Sequence, residues 1–447
     1  MNRLLLLIAL LSAQVVSAQR TKERDTILAQ MRIAAKDLLI DKSYPNNLDT
    51  VYGGYLSTFT YDFKPQGEQD KMIVTQARHI WSTSKAAEFY HDTSYIAMAR
   101  HGFHFLRDKM WDKESGGFHN LVTRQGEPKS KIKEAYGNSF AIYGLAAYYA
   151  ASGDTAALEL AKQTFMWLEK HSHDPKFKGY FQHLQKDGTP VVRPDSTPGT
   201  SDLGYKDQNS SIHLLESFTE LYSVWKDPLV KERLHEMLLL IRDKMIGSKG
   251  YLTLFFYPDW KPVTNRDSSR NVILERSGID HVSFGHDVET AFLMMEASEV
   301  LGLGHDKKTW EVAKQTVDHS LKNGWDNKAG GFYDEGYYFR QAAGKMEIIR
   351  STKNWWAQSE GLNTLLIFFF FYPNDRMNYW QKFSKLWRYC NTYLIDHEHG
   401  DWYEYGIDGS PKSKTALKAH IWKGTYHSFR ALSNCIRRLE EKGEEKR

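Results

Sequence analysis

The 447 residues, 41% of them hydrophobic, are enough for one large domain or two to three average ones. Fifty-nine Lys and Arg against 55 Asp and Glu leave a formal charge of +4, without a basic block to grip nucleic acid by counterion release. A mean hydropathy of −0.57 with 26% charged residues excludes a polytopic membrane protein.

From the N-terminus, Arg3, the aliphatic run Leu4–Leu11 and the small residues Val16-Ser17-Ala18 read as a signal peptide over residues 1–18. No Cys stands at the cleavage point, so no lipid anchor is expected. An exported, soluble, periplasmic protein is expected, with residues 19–447 as a single catalytic domain. Cys390 and Cys435 are the only cysteines, which permits one disulfide at most and no zinc ribbon.

Beyond the leader, apolar residues recur at intervals of three and four in twelve segments, the period of amphipathic helices. These begin near 24, 74, 94, 135, 154, 210, 228, 285, 307, 354, 377 and 422. Asp154 opens one, Asp227-Pro228 another, and Pro373 closes a third. After each odd segment comes a glycine followed by an aromatic: Gly54-Tyr55, Gly117-Phe118, Gly179-Tyr180, Gly250-Tyr251 and Gly331-Phe332, with a degraded Gly400-Asp401-Trp402. Such spacing is an internal repeat of two helices and a tight turn, six times over. Neither helix of a pair can bury its apolar face alone. The expected fold is all-α: a closed six-hairpin (α/α)6 barrel with short β-hairpins in the loops at one end.

Polar residues grouped with aromatics fall on the even segments. In chain order these are Arg78 with Trp81; Tyr136 and Asn138, after Lys133; Asn209 and His213; His286 and Glu289; Trp355, Trp356 and Glu360; and Trp422 and His427. The pairs Asn209/His213, His286/Glu289 and Trp356/Glu360 are three or four residues apart, so each shares a helix face. If the even helices form the inner ring, all six groups converge at one end of the barrel axis. Two histidines can exchange protons near neutral pH. Glu289 is placed to orient His286, Arg78 and Asn209 can donate to a developing oxyanion, and Trp356 and Trp422 offer faces to sugar rings. His286-x-x-Glu289 is a weak metal signal without further ligands, and no P-loop, dinucleotide fingerprint or nucleophile elbow is present. The set suits proton transfer beside a carbonyl, with no metal and no cofactor.

Five strings carry a family resemblance: Ala77–Trp81, Asn209–Glu216, Gly285–Glu289, Asn354–Glu360 and Trp422–His427. On these the chain resembles the N-acylglucosamine 2-epimerase superfamily, and within it the cellobiose (mannobiose) 2-epimerases. The resemblance implies the same barrel, a sugar substrate and epimerisation at C2 of the reducing-end sugar of a β-1,4-linked disaccharide. It also implies His427 and His286 as the acid/base pair, with Glu289 supporting His286 and His213 assisting ring opening. Arg78 and Asn209 would hold the enediolate, and Trp356 and Trp422 would stack on sugar, with Glu360 hydrogen-bonding to substrate and Tyr136 and Asn138 also binding it. Ser211 stands where the family has a further His. An aldose–ketose isomerase of the same superfamily is the main alternative; a glycoside hydrolase and an exported glycan-binding protein rank lower. A monomer or weak homodimer, without a membrane anchor, is expected.

Overall fold

The computed structural model describes residues 20–444, so the expected signal peptide lies outside the described residues. Among the described residues, twelve long helices appear where the apolar period placed them. They are α1 (20–35), α2 (Ile73–Tyr90), α3 (Ser94–Phe105), α4 (Ala135–Ser152), α5 (Thr155–His171), α6 (Gln208–Val224), α7 (Pro228–Leu240), α8 (Phe284–Val300), α9 (Lys307–Asn323), α10 (Trp355–Phe371), α11 (Tyr379–Tyr389) and α12 (Tyr426–Glu444). Asp154 caps α5 through the Ala156 N–H at 3.1 Å, and Asp227 caps α7 through the Leu229 N–H at 2.8 Å. Pro228 takes the first turn of α7, and α10 stops two residues before Pro373. Among the described residues, no helix is long and apolar enough to cross a membrane.

Each even helix packs on the next, and α12 packs back on α2, closing an inner ring; the odd helices lie outside. A helix enclosed on all sides must be apolar or small all round, and α4 buries every residue from Ala135 to Tyr148. The ring is also joined through backbone: Phe59 N–H donates to Ala419 O at 3.1 Å, and Lys418 N–H to Phe59 O at 2.9 Å. On the outer wall, Trp387 Nε1 donates to Gln30 Oε1 at 2.8 Å and so ties α11 to α1.

The strands are short and lie at the end where the even helices begin. β1 (Lys71–Met72) pairs with β2 (Leu121–Val122), β3 (Ile132–Glu134) with β4 (His183–Gln185), and β5 (Lys206–Asp207) with β6 (Phe255–Phe256), all antiparallel. β7 (Val282–Ser283), β8 (Glu335–Tyr337) and β9 (Glu347–Arg350) form a three-stranded sheet in which β8 and β9 are a hairpin. Apart from that hairpin, each pairing links one repeat to the next, so the strands brace the ring.

A buried ion pair locks five of the six turns. Asp49, Asp112, Asp174, Asp326 and Asp396 each precede the turn aromatic by six residues. Their partners are Lys71 (2.9 Å), Lys133 (2.7 Å), Lys206 (2.7 Å), Lys353 (2.6 Å) and Lys418 (2.6 Å). The fourth repeat has no such pair: Val282 takes the lysine's place in β7, and Ile246 and Val282 are both buried in the apolar core. There the turn also departs from the glycine–aromatic reading. Leu252, not Tyr251, takes the buried seat, and its N–H donates to Asp287 as those of Phe118 and Phe332 donate to Asn138 and Gln358.

Candidate active site

Most of the even-helix residues meet at the axial end of the inner ring. Arg78 on α2 donates to the Tyr136 hydroxyl on α4 at 3.0 Å, and its guanidinium lies 4.3 Å from the Phe140 ring. Asn209 on α6 reaches the same Tyr136 hydroxyl, and the His213 ring is 5.4 Å from that of Tyr136. Across the axis, the Trp356 ring on α10 lies 4.7 Å from His286 on α8 and 5.8 Å from His427 on α12. Gly285 allows this approach, since a Cβ there would come within 2.7 Å of the Trp356 ring. The two imidazoles therefore lie against one indole.

Behind the imidazoles is a buried charge cluster centred on Arg430. Its Nη2 donates to Glu289 Oε1 at 2.6 Å and contacts Glu360 Oε1 at 2.7 Å, while Nη1 and the Tyr426 hydroxyl both donate to Glu216 Oε1. Glu216 Oε2 holds His213 Nδ1 at 2.7 Å, and Glu360 Oε1 holds His427 Nδ1 at 2.6 Å. Because Glu360 Oε1 already accepts from Arg430, the proton shared with His427 resides on Nδ1 and the Nε2 lone pair is left open. Burial alone would raise Glu216, but Arg430 and His213 overcome it and bring it down to about 2. Burial, with Glu289 alongside, pushes Glu360 well above the usual carboxylate range; its Oε2 has no hydrogen-bond partner among the described residues. His427 is held well below an ordinary imidazole by burial and by the Arg78 and Arg430 charges, and burial brings His286 down to about 3. Both rings are thus neutral bases.

The geometry corrects three assignments. Glu289 does not orient His286, whose Nδ1 pairs with Ser283 Oγ at 2.8 Å; Glu289 faces Arg430, with His427 Nδ1 at 3.9 Å. Glu360 is fully buried and anchors His427 rather than reaching toward substrate. Asn138 is used at both ends by backbone, donating to Glu134 O at 2.8 Å and accepting from Phe118 N–H at 2.9 Å. Trp422 lies on the turn before α12 rather than within it, 47% exposed. Donor atoms of Glu289, Glu360 and His427 lie within 4.8 Å of one another, as metal ligands can, but the Arg430 guanidinium already fills the cation position between the carboxylates.

The model of the N-acylglucosamine 2-epimerase (GlcNAc 2-epimerase) family matches residues 54–431. The chain belongs to this family. It is 29% identical to the cellobiose 2-epimerase of Bacteroides fragilis over 399 residues, 88% of this chain and 94% of the relative. The solved structure of the cellobiose 2-epimerase from Spirochaeta thermophila matches with a TM-score of 0.81 at 27% identity, covering 94% of this chain and 98% of the other. A D-mannose isomerase from Marinomonas mediterranea is 22% identical over 393 residues, 87% of this chain and 93% of that protein. As a member of this family the chain is an enzyme, a carbohydrate epimerase of the cellobiose 2-epimerase type.

For this epimerase, the residue that sequence reasoning missed is Arg430. The signal was available in a shared spacing. His213-x-x-Glu216, His286-x-x-Glu289 and His427-x-x-Arg430 each place a charge one turn beyond an inner-ring histidine. Read together, they show a cation facing acids from other helices.

Proposed function

We propose that this enzyme inverts C2 of the reducing-end sugar of a β-1,4-linked disaccharide of the cellobiose or mannobiose type, without a cofactor. The observation that carries the reading is the placement of His427 and His286 against one Trp356 ring, with His427 Nδ1 tied to Glu360. After ring opening, in which His213 assists, the open Nε2 of His427 removes the C2 proton. The enediolate oxygens face Arg78 and Asn209, which stabilise charge that is absent from the ground state. Rotation about C2–C3 presents the opposite face to His286. An enediolate beside that buried ring favours a proton on it; the ring takes this proton from solvent and delivers it to C2, and His427 releases to solvent the proton it removed. Trp356 and the exposed Trp422 offer stacking faces to the two sugars. Glu289 and Glu360 share one guanidinium instead of facing each other across a gap, which argues against a hydrolytic carboxylate pair. The leader-like first eighteen residues support an exported, periplasmic enzyme.

Likeness to a D-mannose isomerase favours one second reading, return of the proton to C1 with a ketose product. A single experiment separates them: incubation with cellobiose or mannobiose in D2O, followed by proton NMR. Epimerisation gives the C2 epimer with deuterium at C2; ketose formation indicates the isomerase, and released monosaccharide a hydrolase. His427→Ala and His286→Ala are each expected to lower turnover ~100-fold or more. Full activity in either variant overturns the two-histidine mechanism.

A further inference from the structure

The fourth repeat differs from the others in three linked ways. Its turn carries no Lys–Asp lock, its aromatic Tyr251 is displaced from the buried seat by Leu252, and the stretch to the next turn is the longest of the five between turns. The added chain contains the short helix Arg270–Glu275, whose Ile273 packs with Tyr337 of β8 and Phe339. Between the displaced turn and this excursion is a cavity of about 270 Å³. It includes none of the residues that meet around Trp356; its inner wall is His281 and Val282, ahead of the helix that bears His286.

The lining combines flat rings with fixed polar groups. Tyr251 and Tyr338 lie 5.4 Å apart at an interplanar angle of 35°, and Tyr337 donates to Asp280 Oδ2 at 2.9 Å. That carboxylate oxygen also accepts from Thr264 Oγ1 at 2.7 Å and Asn265 N–H at 2.8 Å. Two cations face the same space. Lys249 Nζ donates to Thr253 Oγ1 at 2.9 Å, and Arg266 Nη2 to the Tyr251 hydroxyl at 3.2 Å. Neither has a carboxylate within ion-pair distance among the described residues, whereas Asp267 beside them pairs with Arg340 at 3.0 Å.

We propose that this cavity is a second saccharide site, distinct from the reaction site, that binds a single pyranose bearing a carboxylate. The volume lies just under the ~300 Å³ at which pockets for larger ligands begin, a size suited to one sugar ring. Tyrosine faces suit the ring, Thr253 and Thr264 suit its hydroxyls, and the Arg266 fork with Lys249 suits a planar carboxylate. The nearby Asp280 disfavours a doubly charged phosphate. The inference is independent of the reaction proposed above.

D-glucuronate and D-glucose are the probes, titrated by saturation-transfer NMR against the wild-type protein, Arg266→Met, Lys249→Met and Trp356→Ala. Saturable glucuronate binding is expected in the wild type and in Trp356→Ala, with glucose at least about tenfold weaker, the worth of one charge-assisted hydrogen bond. Arg266→Met and Lys249→Met should each weaken glucuronate about tenfold and leave turnover of neutral disaccharide unchanged; both side chains are exposed, so folding is not at risk. Absence of saturable binding at millimolar concentration overturns the proposal. So does glucuronate binding that survives both cation variants, or that disappears in Trp356→Ala, which would place it in the reaction site.

Discussion

At the scale of single residues, Glu360 illustrates how burial changes a side chain's task. A glutamate one turn beyond a tryptophan could hydrogen-bond to sugar, but once enclosed it serves His427 through one oxygen and leaves the other without a partner. The tether depends on Oε1 accepting a hydrogen bond, which an amide oxygen also does. Glu360→Gln should therefore retain turnover within about tenfold, whereas Glu360→Leu should lower kcat ~100-fold or more with KM little changed. Steady-state kinetics on the proposed disaccharide check this; equal loss in both variants would mean that the charge matters and not the tautomer. The histidines, Arg78, Tyr136, Asn209 and Trp356 were legible in the sequence because each falls in the first two turns of an inner helix. The roles of Glu289, Glu360 and Asn138 were not, since a helical face says which residues neighbour each other but not which of several partners a side chain chooses.

At the scale of elements, the turns repeat a design of glycine, aromatic and a polar anchor on the following helix. Gln76, Asn138, Asp287 and Gln358 each accept the N–H of the seated residue. Asp287 is the ionisable member, and complete burial raises it from 3.8 to about 8. Between those values the folded chain binds a proton that the unfolded chain has lost, so this group makes stability fall as pH rises. Glu134, raised to about 7, and Asp207 and Asp334, raised to about 6, act in the same direction at lower pH; the buried imidazoles act oppositely, but only below 6.5. From pH 7 to 8 Asp287 acts beside the raised Glu360. Asp287 by itself should cost the wild type about 1 kcal/mol over that unit in urea unfolding, and Asp287→Asn, which keeps the acceptor for the Leu252 N–H, should show a slope shallower by that amount. Matching slopes for the two proteins would exclude Asp287 as the source. The glycine–aromatic pattern revealed the turns but mistook Tyr251 for the seated residue, because only the register with α8 shows that Leu252 takes that place.

At the scale of the whole molecule, closure decides stability as well as function. An open array can fray from its ends, but here α12 packs on α2, and Phe59 pairs with Ala419. A ring without a terminal repeat should melt in one cooperative calorimetric transition; two well-separated transitions would mean that part of the ring unfolds by itself. The period of three and four, the six turns and the concentration of chemistry-bearing residues on alternate helices were set by the sequence alone, because amphipathic spacing and glycine backbone freedom are local properties. Which partner each buried charge finds, the Arg430 hub that joins α6, α8, α10 and α12, and the cavity of the fourth repeat were decided only by the tertiary structure. Each requires side chains far apart in the chain to share a space from which water is excluded, and there geometry and desolvation select among pairings that a linear pattern leaves equivalent.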